Sequence, residues 1–366
     1  MSNELLLIET LSLNANKQLG RITLNAPKAL NALTLDMVNS IHQQLLQWYK
    51  DPQIAAVLID SSSEKAFCAG GDVRAIRNNM LQCKGEDFEQ AEAFFVSEYA
   101  LNYLMHRYNK PIVAWGNGIV MGGGWGLFAA ASHRVVTPDS RLAMPEISIG
   151  LYPDVGGSYF LNQQSRGLAR FLGLTGAIVS SASAIDLHFA THCVEHTQQQ
   201  RWLESLTDYS WSGNNDYSNA ELNNSLAAVS CDADSTAIYS SPIHLYRDEI
   251  EACCNNTALG VALDDLLAMP SHSEDSSGWL QHAQDNLRYG SMLSARLIDE
   301  QLSRMRHQPL DMVFLSEMQL TANILRHREL AEGVRALLLD KDRKPPWPYA
   351  TLSDITDTPV SYTNLR

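Results

Sequence analysis

Twenty-two consecutive residues, Pro111 to Ser132, carry no charge, and six of them are glycine. An apolar stretch of that length is long enough to test as a membrane-spanning helix. The glycines, the opening proline and Asn117 make it a poor lipid-facing helix, because each interior glycine costs roughly 1 kcal/mol relative to alanine. The alternative is burial in a protein core. The stretch divides into a β-rich run (Ile112–Trp115), a glycine-dense turn and an uncharged Ala-rich segment, so it predicts a buried strand, turn and helix. A second β-like run (Arg134–Thr137) follows. A short loop then carries two acids, Glu146 and Asp154, among Pro, Gly and apolar neighbours.

The same grammar is present upstream. Glu4–Leu13 and Leu19–Leu24 predict two strands joined by the polar turn Asn14–Gln18, a hairpin pattern. Pro27 ends the second strand and leaves Lys28 exposed by the turn. Leu35, Val38, Ile41, Leu45 and Trp48 recur at helical period, and Thr34 can cap the helix they define, Thr34–Tyr49. Ile54–Ile59 is a continuous β-like run, as a strand buried on both faces requires. It leads into SSSEKAFCAGGDVRAI, again strand, glycine turn and helix, and Arg134–Gly150 repeats the theme more weakly. This alternation marks a layered α/β core. Phe88–His106 predicts a long helix with Phe94, Phe95, Tyr99 and Leu104 in the core and Glu98 among them. Beyond Phe160, short helices are expected at Leu168–Leu174, Ala177–Val179 and Ala184–Phe189. Two long helical stretches are expected at 287–306 and 309–339, and the paired prolines of DKDRKPPWPY end the second. The Ser-, Asn- and Asp-rich segment Gln198–Gly278 is either a linker or a set of variable helices.

Composition narrows the function. The 366 residues suffice for one or two domains, and 41 acids against 27 basic residues give a net charge of −14. That balance argues against nucleic acid or an anionic membrane as partner. A local basic rim still suits a phosphorylated small molecule within a Debye length of about 10 Å. The six cysteines show no framework spacing and no CxxC, and MSNELLLIETLS has neither the basic start of an export signal nor the Arg-rich pattern of a transit peptide. Reduced thiols in the cytoplasm are the expectation.

GNGIVMGGG is not a dinucleotide fingerprint, because the sixth position from Gly116 is Met121 and no acid follows at the required distance. No GxSxG elbow and no P-loop is present. What remains is a pair of turns, Ala69-Gly70-Gly71 and Gly122-Gly123-Gly124, each between a strand and a helix. Tight packing explains one such turn. Two can aim two backbone N–H groups at a single oxygen and so form an oxyanion hole, with a helix start near Gly123 adding its positive end. Glu146 and Asp154 suit base or nucleophile work, since carboxylates in apolar settings shift towards neutral pH. The plainer alternative is that Glu146 caps a helix and Asp154 begins a turn. His188 and His192 are spaced i, i+4 with His196 beyond, but without HExxH a half-buried helix end explains them, and no metal is assigned. Lys65, Arg74 and Arg77 flank the first glycine turn, a position that also fits ordinary solvated charges.

RITLNAPKALNALTLDM, KAFCAGGDVRAI, GIVMGGGWGL, AMPEISIGLYPDVGGSYFL and EGVRALLLDKDRKPPW resemble the crotonase (enoyl-CoA hydratase/isomerase) superfamily. PDVGG and the terminal EGVRALLLDKD resemble its 3-hydroxyisobutyryl-CoA hydrolase branch. The resemblance implies an α/β fold, a crotonase-like repeated ββα superhelix core with a C-terminal helical region. Residues 1–200 would form the core, 201–286 a variable helical region and 287–366 the C-terminal helices. It also implies a thioester carbonyl held by the backbone N–H groups of Ala69 and Gly123, with Gly70 and Gly122 lining the substrate. Glu146 and Asp154 match the catalytic acids, Glu98 a residue beside the substrate, and Lys28, Lys65 and Arg74 the surroundings of the CoA nucleotide. No separate cofactor is implied, since CoA is part of the substrate, and superfamily members often form trimers or hexamers. Hydratases of this superfamily use a second glutamate just after the GGG turn. Here that position is Gly126, so hydrolysis of a small 3-hydroxyacyl-CoA is the expected reaction. An enoyl-CoA or dienoyl-CoA isomerase or hydratase and a CoA-ligand-binding protein without turnover are the alternatives. Trp125 and Ser158 depart from the common pattern and bear on which acyl group fits.

Overall fold

Every residue of the strand Ile54–Ser61 is buried, which a run of Ile, Ala, Val and Leu achieves only when both faces of the sheet are covered. In the computed structural model, which describes residues 4–83, 88–211, 215–231, 241–256 and 258–355, this strand is the third of ten. The strands are β1 (Leu6–Ser12), β2 (Gln18–Leu24), β3 (Ile54–Ser61), β4 (Ala66–Cys68), β5 (Ile112–Gly116), β6 (Ile119–Met121), β7 (His133–Val136), β8 (Arg141–Ala143), β9 (Val179–Ser180) and β10 (His192–Cys193). They form a six-stranded sheet in the order β1-β2-β3-β5-β7-β10 and a four-stranded sheet in the order β4-β6-β8-β9. β1 and β2 are the antiparallel hairpin, and β2, β3, β5, β7 and β10 run parallel.

Three consecutive pairs, β3–β4, β5–β6 and β7–β8, each give one strand to either sheet and then enter a helix or helical turn: Val73–Gln82, Gly123–Ala129 and Glu146–Ile149. This is the repeated ββα unit, and it fixes where the functional loops emerge. Each lies between the short second strand and the helix that follows.

The chain divides into two compact units interleaved in sequence. The first comprises residues 1–71, 100–142 and 179–241, and the second 72–99, 143–178 and 242–366. In the first unit the six-stranded sheet buries Leu58, Val113, Trp115 and Val135 against Trp202, Leu206, Trp211, Leu222 and Leu226. Trp202 stacks obliquely on Trp115 at 5.5 Å between ring centroids and donates its indole N–H to Ser225. The polar-looking segment after Gln198 thus starts as sheet cover, in the helices Gln199–Ser205 and Asn215–Ala227. Its amphipathic signal is weak because few, large residues carry the burial. From Pro242 onward it joins the second unit, in the helices Arg247–Cys254 and Leu259–Ala268.

Several expected elements change at their boundaries. Ala177–Val179 is not helical: Gly176 ends the helix Arg166–Thr175 in a left-handed conformation (φ +56°), and the chain leaves extended into β9. The stretch 287–306 is two helices, Trp279–Tyr289 and Met292–Met305, separated at Gly290 and restarted by a Ser291 cap that accepts from the Ser294 N–H at 2.9 Å. The stretch 309–339 is Leu310–Ile324 and Glu329–Val334, followed by one π-helical turn, Arg335–Leu339. The three histidines do not share a helix face. His188 sits in a turn with φ +57°, His192 lies in β10 and His196 starts a 3-10 turn.

Candidate active site

Both glycine turns lie in the first unit. The loop entering the first is locked by Asn31, whose side-chain amide donates to Ser61 Oγ at 2.7 Å and to the Phe67 carbonyl at 2.9 Å. The Leu33 N–H donates to the Gly70 carbonyl at 2.8 Å. The turns then meet at atomic contact. A Cβ on Gly124 would fall 2.2 Å from the Cys68 carbonyl oxygen, and one on Gly70 (φ +110°) would lie 3.3 Å from the Met121 carbonyl oxygen and 3.6 Å from the Gly123 nitrogen. Only glycine permits this approach.

That packing decides which N–H groups are available, and it corrects one expectation. The Ala69 N–H donates to the Leu30 carbonyl at 3.0 Å, so it is spent on holding the turn. The Gly70 N–H points at Cys68 Sγ at 3.4 Å. The Gly71 N–H, two residues past Ala69, has no acceptor among the described residues, and neither has that of Gly123 at the first position of its helix. Gly71 and Gly123 thus each leave a free N–H, one in each turn. Sequence reasoning missed Gly71 because nothing local reveals that the Leu30–Leu33 loop pairs alongside the first turn. Gly122 supports the second turn with φ +52° and accepts from Trp125 and Gly126.

The acids lie in the second unit. Glu98, Glu146 and Asp154 are only 2%, 5% and 4% exposed, and they interact electrostatically. Burial holds Glu146 well above the usual carboxylate range, and the charges of Asp154 and Glu98 add to the shift. Glu98 is raised by burial and by Asp154. Asp154 is pushed up to about 6 by burial, against the stabilising hydrogen bond from Tyr99, whose hydroxyl donates to Asp154 Oδ2 at 2.7 Å. One oxygen of Glu98 and one of Glu146 have no hydrogen-bond partner among the described residues. Three buried carboxyls, each raised above its usual range, have the character of an acid/base site.

The turn that carries Glu146 is held from the C-terminal end of the chain. Gly150 closes the 3-10 turn Glu146–Ile149 with φ +74°, and a Cβ there would lie 2.7 Å from the Glu329 backbone. A Cβ on Gly333 would lie 2.5 Å from Ile149. The helix Glu329–Val334 therefore presses directly on this turn, which gives the EGV of the terminal motif a packing role. The same end of the chain meets the helix Val73–Gln82: Arg77 Nε donates to the Ala331 carbonyl at 2.9 Å and Arg74 Nη2 to the Leu338 carbonyl at 3.0 Å. Arg74 is thus partly committed to the C-terminal segment. Lys28 and Lys65 are exposed residues of the first unit. Trp125 is buried edge-on against Phe189, 5.2 Å between centroids.

Reasoning from sequence also missed the network behind Asp154. Thr321 Oγ1 lies 2.8 Å from the Tyr99 hydroxyl and 2.9 Å from the Tyr152 hydroxyl. The Glu317 carboxylate accepts from the Gly156 N–H at 2.7 Å and the Ser158 N–H at 3.1 Å. These partners are more than 150 residues from Asp154 in sequence, beyond the reach of any local pattern.

The family model for enoyl-CoA hydratase/isomerase matches residues 19–363. Among curated proteins, the mitochondrial 3-hydroxyisobutyryl-CoA hydrolase of Danio rerio is 36% identical over 359 residues, covering 95% of this chain and 84% of that protein. The Homo sapiens protein of the same name is 33% identical, covering 92% and 84%. Among solved structures, a carnitinyl-CoA dehydratase from Mycobacterium thermoresistibile superposes with a TM-score of 0.83 at 32% identity, covering 99% of this chain and 97% of that one. An enoyl-CoA hydratase from Rhodobacter sphaeroides gives 0.82 at 29%, covering 98% and 96%. The chain belongs to the enoyl-CoA hydratase/isomerase family.

Proposed function

We propose that the protein hydrolyses 3-hydroxyisobutyryl-CoA to 3-hydroxyisobutyrate and CoA. The carrying observation is the buried acid cluster of Glu98, Glu146 and Asp154 on a chain whose hydratase glutamate position is Gly126. Relatives named 3-hydroxyisobutyryl-CoA hydrolase, 32–36% identical over most of the chain, support the substrate. The alternative, hydration, is favoured by the names of the two solved relatives. Concerted addition of water across a double bond wants a second carboxylate, which Gly126 does not supply.

In the proposed reaction the thioester carbonyl oxygen accepts from the N–H groups of Gly71 and Gly123, which stabilise the oxyanion as the carbonyl carbon becomes tetrahedral. Losing one such donor typically costs roughly 3–4 kcal/mol of transition-state stabilisation. Glu146 acts in one of two ways. It takes a proton from water as the water oxygen attacks, or it attacks the carbonyl itself, expelling CoA thiolate and leaving a mixed anhydride that water then opens. Either route consumes one water and yields the acid and the thiol. Asp154 binds the 3-hydroxyl or passes a proton to the departing sulfur, and Glu98 shares the cluster's proton. A thiolate is a good leaving group, so the scheme calls for no metal and no cofactor beyond the CoA of the substrate. Lys28, Lys65 and Arg74 are assigned to the CoA phosphates, with a place in valine breakdown and a cytoplasmic location as parts of the same reading.

Thiol release measured in parallel on 3-hydroxyisobutyryl-CoA and crotonyl-CoA tests the reading. Free CoA from the first substrate is expected. Hydration or isomerisation of the second, with no thiol released from either, overturns it.

A further inference from the structure

Glu317 is fully buried, yet no cation pairs with it among the described residues. A buried, unpaired carboxylate is an expensive way to hold a fold together, and an apolar side chain of similar size commonly serves stability as well. What Glu317 does is specific. Its two oxygens accept from the N–H groups of Gly156 and Ser158, on the far side of the turn that begins at Asp154. That turn is strained: Val155, a β-branched residue, has φ +52°, a conformation that persists only where the surroundings impose it. The same helix, Leu310–Ile324, brings Thr321 against Tyr99, the residue that donates to Asp154.

We propose that Glu317 is a positioning residue of the hydrolytic reaction, clamping the strained Asp154 turn so that the Asp154 carboxylate keeps its place and its bond from Tyr99. The proposal rests on the hydrolase reading. The ionisable groups interacting with Glu317 from the elements around it are Asp154 and Tyr152 of the 150–156 loop and Tyr99 of the helix Glu89–His106. Burial raises Glu317 to about 8, while the two N–H bonds favour its ionised form, the form in which both oxygens accept.

Glu317→Gln tests this, because an amide presents an NH2 to one of the two N–H groups and can accept from only one. Wild-type thiol release from 3-hydroxyisobutyryl-CoA is measured first; its absence would fail the hydrolase reading and not the clamp. With wild-type turnover in hand, Glu317→Gln is expected to lower kcat about 10- to 100-fold, the scale of a small misplacement of a reacting group. KM should stay within about threefold. In an Asp154→Asn background the same change should cost less than about twofold, because two residues acting through one group do not add. Glu317→Asp, which keeps the carboxylate but withdraws it by one methylene, should fall between the two and serves if the Gln variant does not fold. Unchanged kcat in both variants, or a full additive loss in the Asp154→Asn background, overturns the proposal.

Discussion

The two units contribute chemistry of opposite kinds. In the first, the groups proposed to hold the reacting carbonyl are backbone N–H groups, and the work of the sequence is to remove side chains so that turns can touch, as Gly124 does against the Cys68 carbonyl. In the second, the candidate catalytic groups are carboxyls crowded into the interior, where burial makes them hold their protons more tightly. Backbone donors have fixed chemistry and depend only on geometry. The acids depend on geometry and on every neighbour that moves a proton. A substitution in the first unit should therefore act through folding, and one in the second through turnover and its pH dependence.

Glu146→Gln gives the largest expected effect on that contrast. It should lower kcat by about 10³-fold or more while CoA binding persists, measured by single-turnover thiol release and calorimetric titration. It should also stabilise the protein. The folded state holds the Glu146 proton more tightly than the unfolded chain does, so stability falls as pH rises beyond the unfolded value of 4.5, until the folded value is passed. The gain in melting temperature on removing this carboxyl should thus be greater at pH 8 than at pH 5; equal gains would break the distinction between the units. Gly124→Ala should act in the opposite sense, costing at least about 4 kcal/mol of stability or abolishing soluble expression, as expected when a Cβ meets immovable backbone. A well-folded variant with normal melting would show that the turns are looser than described. Tyr99→Phe is the smallest and sharpest probe. It removes the hydrogen bond that favours ionised Asp154, so the acid limb of kcat should move upward from near pH 6 by about 1 unit, the equivalent of a hydrogen bond to a charged group. An unmoved limb would detach Asp154 from the titrating group.

What could be read from sequence follows the same division. Ile54–Ile59, the hairpin and both glycine turns are legible because strand period and glycine clusters are local signals. Glu146 and Asp154 were legible as acids in apolar company. The family resemblance points to Ala69 as a donor, but its N–H is taken by the Leu30 carbonyl, almost forty residues upstream, which leaves that of Gly71 free. Glu317 and Thr321 give no signal, since on a helix rich in apolar residues one glutamate and one threonine look like its polar side. The helix breaks at Gly290–Ser291 and after Ile324 were lost for a different reason: helical period continues across them, and only the cap at Ser291 reveals the restart.

The clamp also has a consequence for synthesis. Gly156 and Glu317 are 161 residues apart, so at about 5–20 residues per second roughly 8–30 s pass between making the Asp154 turn and making the residue that secures it. Both glycine turns have been translated by then, while the acid turn still waits for its holder. A nascent chain therefore holds both glycine turns and the Asp154 turn well before it holds the Glu317 carboxyl on which the proposed clamp depends.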